Sequence, residues 1–393
     1  MNVIIQKLDF SSKYYQQILL LLRANGGNAR IIGGAVRDAL LDRPSSDIDI
    51  ATDLLPQQIF DILLPAGIQV IPTGIKFGTV TALLYEEKFE ITTLRKDIKC
   101  TGRYAEVDFT NNFMEDAARR DFTINALSYC PLEHKIYDYF TGIEDLKNRE
   151  VRFIGEAEQR IKEDFLRILR FFRFSCYYAQ QINAVGLEAA VQLKDGLKII
   201  SKERIKTELD KILLSDNFPY ILQVMFNTGI LSIISPIKYY YLHIIEKAVG
   251  LELCTKYALL FCNFEELNLV DLIKLKFSNK EAKKIYSIIK FITVQKITDF
   301  SLKKIWLQNQ DYKEYLNAAL ALDKLSLKIV QEFINKYDLI AKPIFPIRGQ
   351  DMLQLNIKNK NIGKSLKYLE ELWIESDFTL IKEQLIGLLT NET

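Results

Sequence analysis

Histidine is nearly missing from this chain: 393 residues include only His134 and His243. That argues against a histidine-built metal centre, including any His/Asp metal-hydrolase module. The five cysteines (Cys100, Cys130, Cys176, Cys254 and Cys262) contain no Cys-x-x-Cys pair. An odd, scattered set suits a reducing compartment, and the cytoplasm is the expected location. Charge of one sign is also lacking. Lys and Arg number 52 against 50 Asp and Glu, a formal charge of +2. A nucleic-acid surface would therefore have to be a local patch. Long hydrophobic runs are absent too. Ile18 to Leu22 is far too short to cross a bilayer, and Lys7 and Asp9 precede it, so neither a signal peptide nor a membrane partner is expected.

What is present is a long chain with 49% hydrophobic residues. That length exceeds a single core, so two to four domains are expected. Tyr14 to Arg23 reads as a helix stopped at Asn25-Gly26-Gly27. Ala29 to Ile32 is a strand, Gly33-Gly34 forces a turn, and Ala35 to Leu41 is a helix. Ile48 to Ala51 is a strand and Pro56 to Leu64 a helix. Gln69 to Pro72, Thr79 to Tyr85 and Phe89 to Leu94 are β-branched and aromatic, and read as strands. Beyond about Asn148 the pattern becomes helical. Ala157 to Tyr178 reads as one helix, and almost everything from Lys202 to Thr393 does likewise. No fixed-period repeat is found.

Candidate chemistry lies in the first part. Gly33-Gly34 stands between strand and helix, where glycines let backbone N–H groups approach phosphate oxygens. Arg37 on the first helical turn could add a fork of donors. A tight turn made for packing is the alternative. Asp47 and Asp49 follow, two apart on the expected strand, so both carboxylates face one side. Two such carboxylates suit Mg2+, with substrate phosphates completing the octahedra of a two-metal displacement. An isolated Asp-x-Asp can equally be an exposed edge. Glu90 is a candidate third catalytic acid, or an ordinary edge-strand glutamate.

Together, Gly33-Gly34-Ala35-Val36-Arg37-Asp38 and Asp47-Ile48-Asp49-Ile50 resemble the head of the class II tRNA nucleotidyltransferase and bacterial poly(A) polymerase family, within the polymerase-beta-like superfamily. Further motifs follow in order. Gly74 to Thr81 resembles the family's glycine-bounded strand entry, and Arg119-Arg120-Asp121-Phe122-Thr123-Ile124-Asn125-Ala126 its RRDFTxNA motif. Tyr137 to Gly142 resembles the strand and turn after it, and Glu163 to Phe174 the EDxLRxxRxxRF helix. Phe345 to Asp351 and Ile362 to Leu366 look like the family's tail. The resemblance is dense from Ile31 to Phe174 and faint through the helical body.

The resemblance implies an α+β fold: a polymerase-beta-like head of mixed sheet and helices, followed by an all-α neck, body and tail. The expected division is a catalytic head at 1–148 and a base-recognising neck at 149–214. An RNA-binding body at 215–330 and a tRNA-binding tail at 331–393 complete it. Asp164, Arg167, Arg170 and Arg173 recur every three residues on the expected helix and form a slanted ribbon above a stripe of Ile161, Phe165, Ile168 and Phe172. A salt-bridged solvent face is the bland reading. In the functional one, Asp164 accepts from an exocyclic amine and Arg167 donates to a ring acceptor. That pattern accepts C and A and leaves unpaired groups against U and G. The resemblance carries nucleotide contacts to Arg167, Arg170, Arg173 and Arg120.

Lys96 to Tyr104 reads as a polar mobile loop. It aligns with the family loop that switches the pocket from C to A, and Arg103 belongs to it. Thr101 stands where that loop usually has an acidic residue. The implied activity is template-independent addition of C, C and A to tRNA. The implied partners are Mg2+, CTP, ATP and the tRNA acceptor arm. The body would meet RNA through Lys274 to Lys284 and Lys303-Lys304. A poly(A) polymerase or A-only enzyme on the same fold is one alternative. A catalytically inactive RNA-binding relative is the other.

Overall fold

The computed structural model describes residues 2–4, 10, 14–44, 47–101, 104–234, 242–262, 267–355, 357 and 359–390. The chain divides into two compact units, 1–236 and 237–393. The first begins with ten strands: β1 (Asn2–Ile4), β2 (Ala29–Ile32), β3 (Asp49–Thr52), β4 (Gln69–Gly74), β5 (Thr79–Leu84), β6 (Glu87–Thr93), β7 (Arg95–Thr101), β8 (Tyr104–Phe109), β9 (Ser128–Cys130) and β10 (Lys135–Tyr137). Eight of them form one sheet in the order β1-β10-β9-β2-β3-β6-β5-β4. Its neighbours run antiparallel except β3 and β6, which are parallel.

Strand alternation decides which face does what. Ile31 of β2 and Ile50 of β3 enter the large core. Helices α1 (Tyr15–Ala24) and α3 (Pro56–Leu63) cover that face with Ile18, Leu19, Leu22, Ile59 and Leu63. The next residues along the strands, Ile32 and Ala51, turn to the other face and join Leu94 in a smaller cluster. Asp49, two before Ala51, shares this second face. The acids thus lie opposite the helix-covered side.

Three expectations change. The described part of Lys96 to Tyr104, Lys96 to Thr101 and Tyr104, is strand rather than open loop: β7 and β8 pair as an antiparallel ribbon, with Lys96 and Asp108 joined at 3.3 Å. Cross-strand partners supply the ladder, and a polar local composition does not encode them. Arg103 lies outside the described residues. Ala157 to Tyr178 is two helices, α6 (Ala157–Glu163) and α7 (Leu166–Tyr178). Asp164 breaks them, with extended backbone at φ −153° and ψ 108°, and its Oδ1 accepts from Leu166 N at 3.1 Å. A short polar side chain that satisfies the backbone in this way competes with helix. Asp47 precedes the strand that starts at Asp49, rather than sharing it. The three-residue strands β1 and β9 carry too little periodicity to be read locally.

Helices α4 (Phe113–Ala118), α5 (Gly142–Lys147), α8 (Ala184–Gln192), α9 (Lys202–Leu214), α10 (Phe218–Asn227) and α11 (Ile230–Ile234) complete the first unit. Phe122 meets Phe153 at 4.8 Å and Phe174 of α7 at 5.2 Å, and Phe153 stacks on Phe171 at 5.4 Å. This aromatic cluster anchors the Arg119-Arg120-Asp121 segment to α7.

The elements of the second unit, among its described residues, are all helices joined by turns and coil. One of its cores gathers Met352, Leu369, Trp373, Ile374 and Leu385. Lysines expected to meet RNA are engaged internally. Lys303 is only 5% exposed and pairs with Asp299 and Asp377. Lys304 pairs with Glu371 at 2.9 Å, and Lys284 with Glu252 at 3.0 Å. Lys274, Lys280 and Lys283 stay exposed.

Gly142 opens α5, and the Asp138 carboxylate accepts from its N–H and from that of Ile143, both at 2.9 Å. A Cβ there would lie 2.4 Å from the Thr123 carbonyl oxygen. Gly142→Ala should destabilise the first unit by about 1–3 kcal/mol through overpacking. Thermal melts check this, and a variant melting with the parent would contradict the close approach.

Candidate functional site

Parallel pairing sets Asp49 of β3 directly opposite Glu90 of β6, with Thr81 of β5 on the far side of Glu90. Asp47 is just ahead of the strand. Burial pushes the Asp49 carboxyl up to about 6, the charges of Glu90 and Asp47 add to the shift, and Arg120 opposes it. Acids crowded in this way favour a proton or a cation among them. Their oxygens are the donor type that Mg2+ takes, usually with substrate phosphates completing its shell. Among the described residues, no group of three or more His, Cys, Asp or Glu could hold a metal alone. The donor set therefore suits a cation shared with a substrate better than a closed structural site.

The glycine turn lies beside these acids. Gly33 has φ +68°, a conformation that glycine adopts without strain. A Cβ there would come within 3.0 Å of Arg120 Nη1, so the missing side chain leaves room for that guanidinium. The Gly33 N–H donates to Leu127 O at 2.9 Å and is thus engaged by the sheet. Gly34 starts α2 (Gly34–Ala39). Arg37 is buried and its fork grips Asp38, Nε at 2.9 Å and Nη2 at 2.8 Å. Its Nη1 donates to Asn125 Oδ1 at 2.6 Å, and its guanidinium lies 4.1 Å from the Tyr178 ring centre. Tyr178 returns to Asp38 through its hydroxyl at 2.8 Å.

Asp121 ties this turn to α7. It is buried, and its two oxygens accept from Asn125 Nδ2 at 3.0 Å and Arg170 Nε at 2.7 Å. Burial alone would raise its pKa, but Arg170, Asn125 and Arg167 together hold it below the usual carboxylate range. Asp116 is likewise held low against burial by Arg119 and Arg120, at 2.7 and 3.3 Å. On α7, Arg167 pairs with Glu163 and donates from Nη2 to Arg119 O at 3.3 Å. Arg173 Nε lies 2.7 Å from Glu208 Oε2, an ion pair poorly aligned for a hydrogen bond. Asp164 pairs with Arg204 Nη2 of α9 at 2.6 Å.

These groups surround one cavity of about 630 Å³ within the first unit. Gly33, Gly34, Arg37, Asp49, Arg120, Asp164, Arg167, Arg170 and Arg173, all expected site residues, line it. Asp47 and Glu90, also expected, are not among the lining residues; Glu90 is tied to the cavity only by its pairing with Asp49 across the sheet. Its described walls carry eight cations (Arg37, Arg119, Arg120, Arg167, Arg170, Arg173, Arg204 and Lys211) and three carboxylates (Asp49, Asp121 and Asp164). That excess attracts a polyanion such as a triphosphate. Sequence reasoning missed Asp121, Asn125, Glu163, Arg204, Glu208 and Lys211. A signal existed for α9: Arg204, Glu208 and Lys211 fall at i, i+4 and i+7, one helical face.

Comparison with known proteins identifies the chain's relatives. Residues 29–152 match the family of the poly A polymerase head domain, and 181–238 match the probable RNA and SrmB-binding site of polymerase A. The chain is 36% identical over 375 residues to CCA tRNA nucleotidyltransferase 1, mitochondrial, of Mus musculus, covering 91% of this chain and 85% of the relative. A CCA-adding enzyme of Lactococcus lactis is 32% identical over 98% of this chain and 97% of its own. The crystal structure of the Bacillus stearothermophilus CCA-adding enzyme in complex with CTP superposes with a TM-score of 0.77 at 25% identity. The match covers 97% of this chain and 98% of that one.

The raised Asp49 has a stability consequence. Its folded value of about 6 exceeds the ordinary 3.8, so the fold disfavours the ionised form. Stability from this group is full below pH 3.8 and is lost as pH rises through about 6. With metal chelated, Asp49→Asn should melt higher than the parent, by a margin that grows between those pH values and then levels. A margin independent of pH would show that Asp49 titrates normally.

Proposed function

The chain belongs to the CCA tRNA nucleotidyltransferase family, and from that premise we propose that it adds C, C and A in turn to the 3′ end of tRNA from CTP and ATP. One observation carries the reading. A cavity rich in arginine holds Asp49 at one wall and Asp164 with Arg167 at another, so acids for transfer and groups for base choice open on one space.

Asp47 and Asp49 are proposed to hold Mg2+, with Glu90 as the neighbouring third acid. Mg2+ there would activate the attacking 3′ hydroxyl and offset charge on the leaving pyrophosphate. Arg120, Arg170 and Arg173 draw the triphosphate by charge, and Gly33 leaves the Arg120 guanidinium its space. Asp164 accepts from the exocyclic amine of C or A, and Arg167 donates to the ring acceptor beside it. Arg37, clamped by Asp38 and Asn125, shapes the wall more than it reaches outward. Arg103 stays assigned to base switching on the strength of the motif alone.

The proposed division remains head 1–148, neck 149–214, body 215–330 and tail 331–393. The acceptor arm of tRNA is the proposed partner of the parts beyond the head. The proposed compartment is the cytoplasm. The described cysteines Cys130, Cys176, Cys254 and Cys262 are in no disulfide, and among the described residues no helix is long and apolar enough to cross a membrane.

The deciding assay supplies Mg2+ with tRNA ending at the discriminator base, in CC or in CCA, and with a generic RNA, giving CTP and ATP singly and together. Addition should stop at CCA. Continued A addition to any RNA would identify a poly(A) polymerase, A addition to tRNA ending in CC alone an A-only enzyme, and no incorporation an inactive RNA-binding relative. Asp47→Ala and Asp49→Ala should each abolish incorporation while tRNA binding persists in a filter assay. Turnover retained in either variant would refute its metal role.

A further inference from the structure

Asp164 sits where α6 ends and α7 has not begun, so no regular helical lattice fixes its side chain. Two contacts hold the carboxylate. Oδ1 accepts from the Leu166 N–H at 3.1 Å, and Oδ2 accepts from Arg204 Nη2 at 2.6 Å. The first comes from its own turn. The second reaches across 40 residues from α9. A carboxylate has about four acceptor positions, so two contacts leave capacity for an amine.

Arg167 is not the partner of Asp164: it pairs with Glu163. The two base-reading groups are thus set independently, one by Glu163 from within its own segment and one by Arg204 from the facing helix. Glu208, one turn along α9 from Arg204, forms an ion pair with Arg173. The helix α9 therefore presents a row of charges that hold the groups opposite. Arg204 also lines the cavity beside Asp164.

We infer that Arg204 is a positioning residue for base selection, holding the Asp164 carboxylate in the orientation that accepts from the exocyclic amine of cytosine or adenine. This rests on the function proposed above. Without Arg204, a carboxylate held only by Leu166 N–H can rotate. It then accepts less well from the amine of C and turns away from the carbonyl of U that it would otherwise repel. Discrimination falls from both sides.

The test is single-nucleotide addition to tRNA lacking CCA, with kcat/KM measured separately for CTP and UTP. Arg204→Ala should lower the CTP/UTP ratio roughly 10- to 100-fold, the scale expected for loss of one charged hydrogen bond. Arg204→Lys, which keeps a point charge but loses the planar fork, should give an intermediate ratio. In an Asp164→Ala background, Arg204→Ala should change the ratio no further. Thermal melts accompany each variant, and if Arg204→Ala does not fold, the lysine variant and its double mutant carry the comparison.

Equal loss of kcat/KM for CTP and UTP would overturn the inference and make Arg204 a phosphate or packing contact. An undiminished effect in the Asp164→Ala background would overturn it as well. Wild-type protein that adds no C would remove the proposed function itself. Wild-type protein that selects CTP, with Arg204→Ala selecting it equally well, would remove only the role of Arg204.

Discussion

The first unit depends on a buried carboxylate that must be paired. Asp121 lies inside the protein, where an uncompensated charge costs several kcal/mol. Its compensation comes from two directions, Asn125 in its own turn and Arg170 on α7. Asn125 in turn receives Arg37 from the helix that follows the glycine turn. One buried charge thus links the acid-bearing sheet to the arginine-bearing helix. The aromatic contacts of Phe122 with Phe153 and Phe174 exclude water from this link and make the pairing firm.

Around that link the chemistry separates into two walls. Asp49 and Glu90 face each other on adjacent strands with Asp47 just ahead of them, and burial, with the repulsion added, raises the Asp49 carboxyl. The opposite wall has arginines in excess, each steadied by a carboxylate: Arg167 by Glu163, Arg170 by Asp121, Arg173 by Glu208. Steadying matters because a free guanidinium has many rotamers, and recognition of a planar base needs few. A cavity with cations in excess can draw a triphosphate while keeping each donor in place.

The second unit teaches a contrary lesson about charge. Lys303 and Lys304 stand together in sequence and invite an RNA-binding reading, yet each is engaged by acids of the same unit. Runs of lysine on helices often serve packing through their long stems, with the ammonium paired at the end. Exposed Lys274, Lys280 and Lys283 keep the character that composition alone had suggested for the whole group.

Read alone, the chain specified the α+β head and helical remainder, and nine of the residues that line the cavity, among them Gly33, Asp49, Asp164 and Arg173. Those features are local: glycine turns, strand alternation and short motifs are written in neighbouring residues. The break at Asp164 was not legible, because the residues on both sides have strong helical pattern and only a side-chain hydrogen bond interrupts it. Nor was the β7–β8 ribbon, whose ladder comes from residues across the pair. Tertiary structure alone decided the partners: Arg204 for Asp164, Asn125 for Arg37, Glu90 beside Asp49. Each joins groups that neither periodicity nor spacing relates, and a charge finds its partner only once the chain has packed.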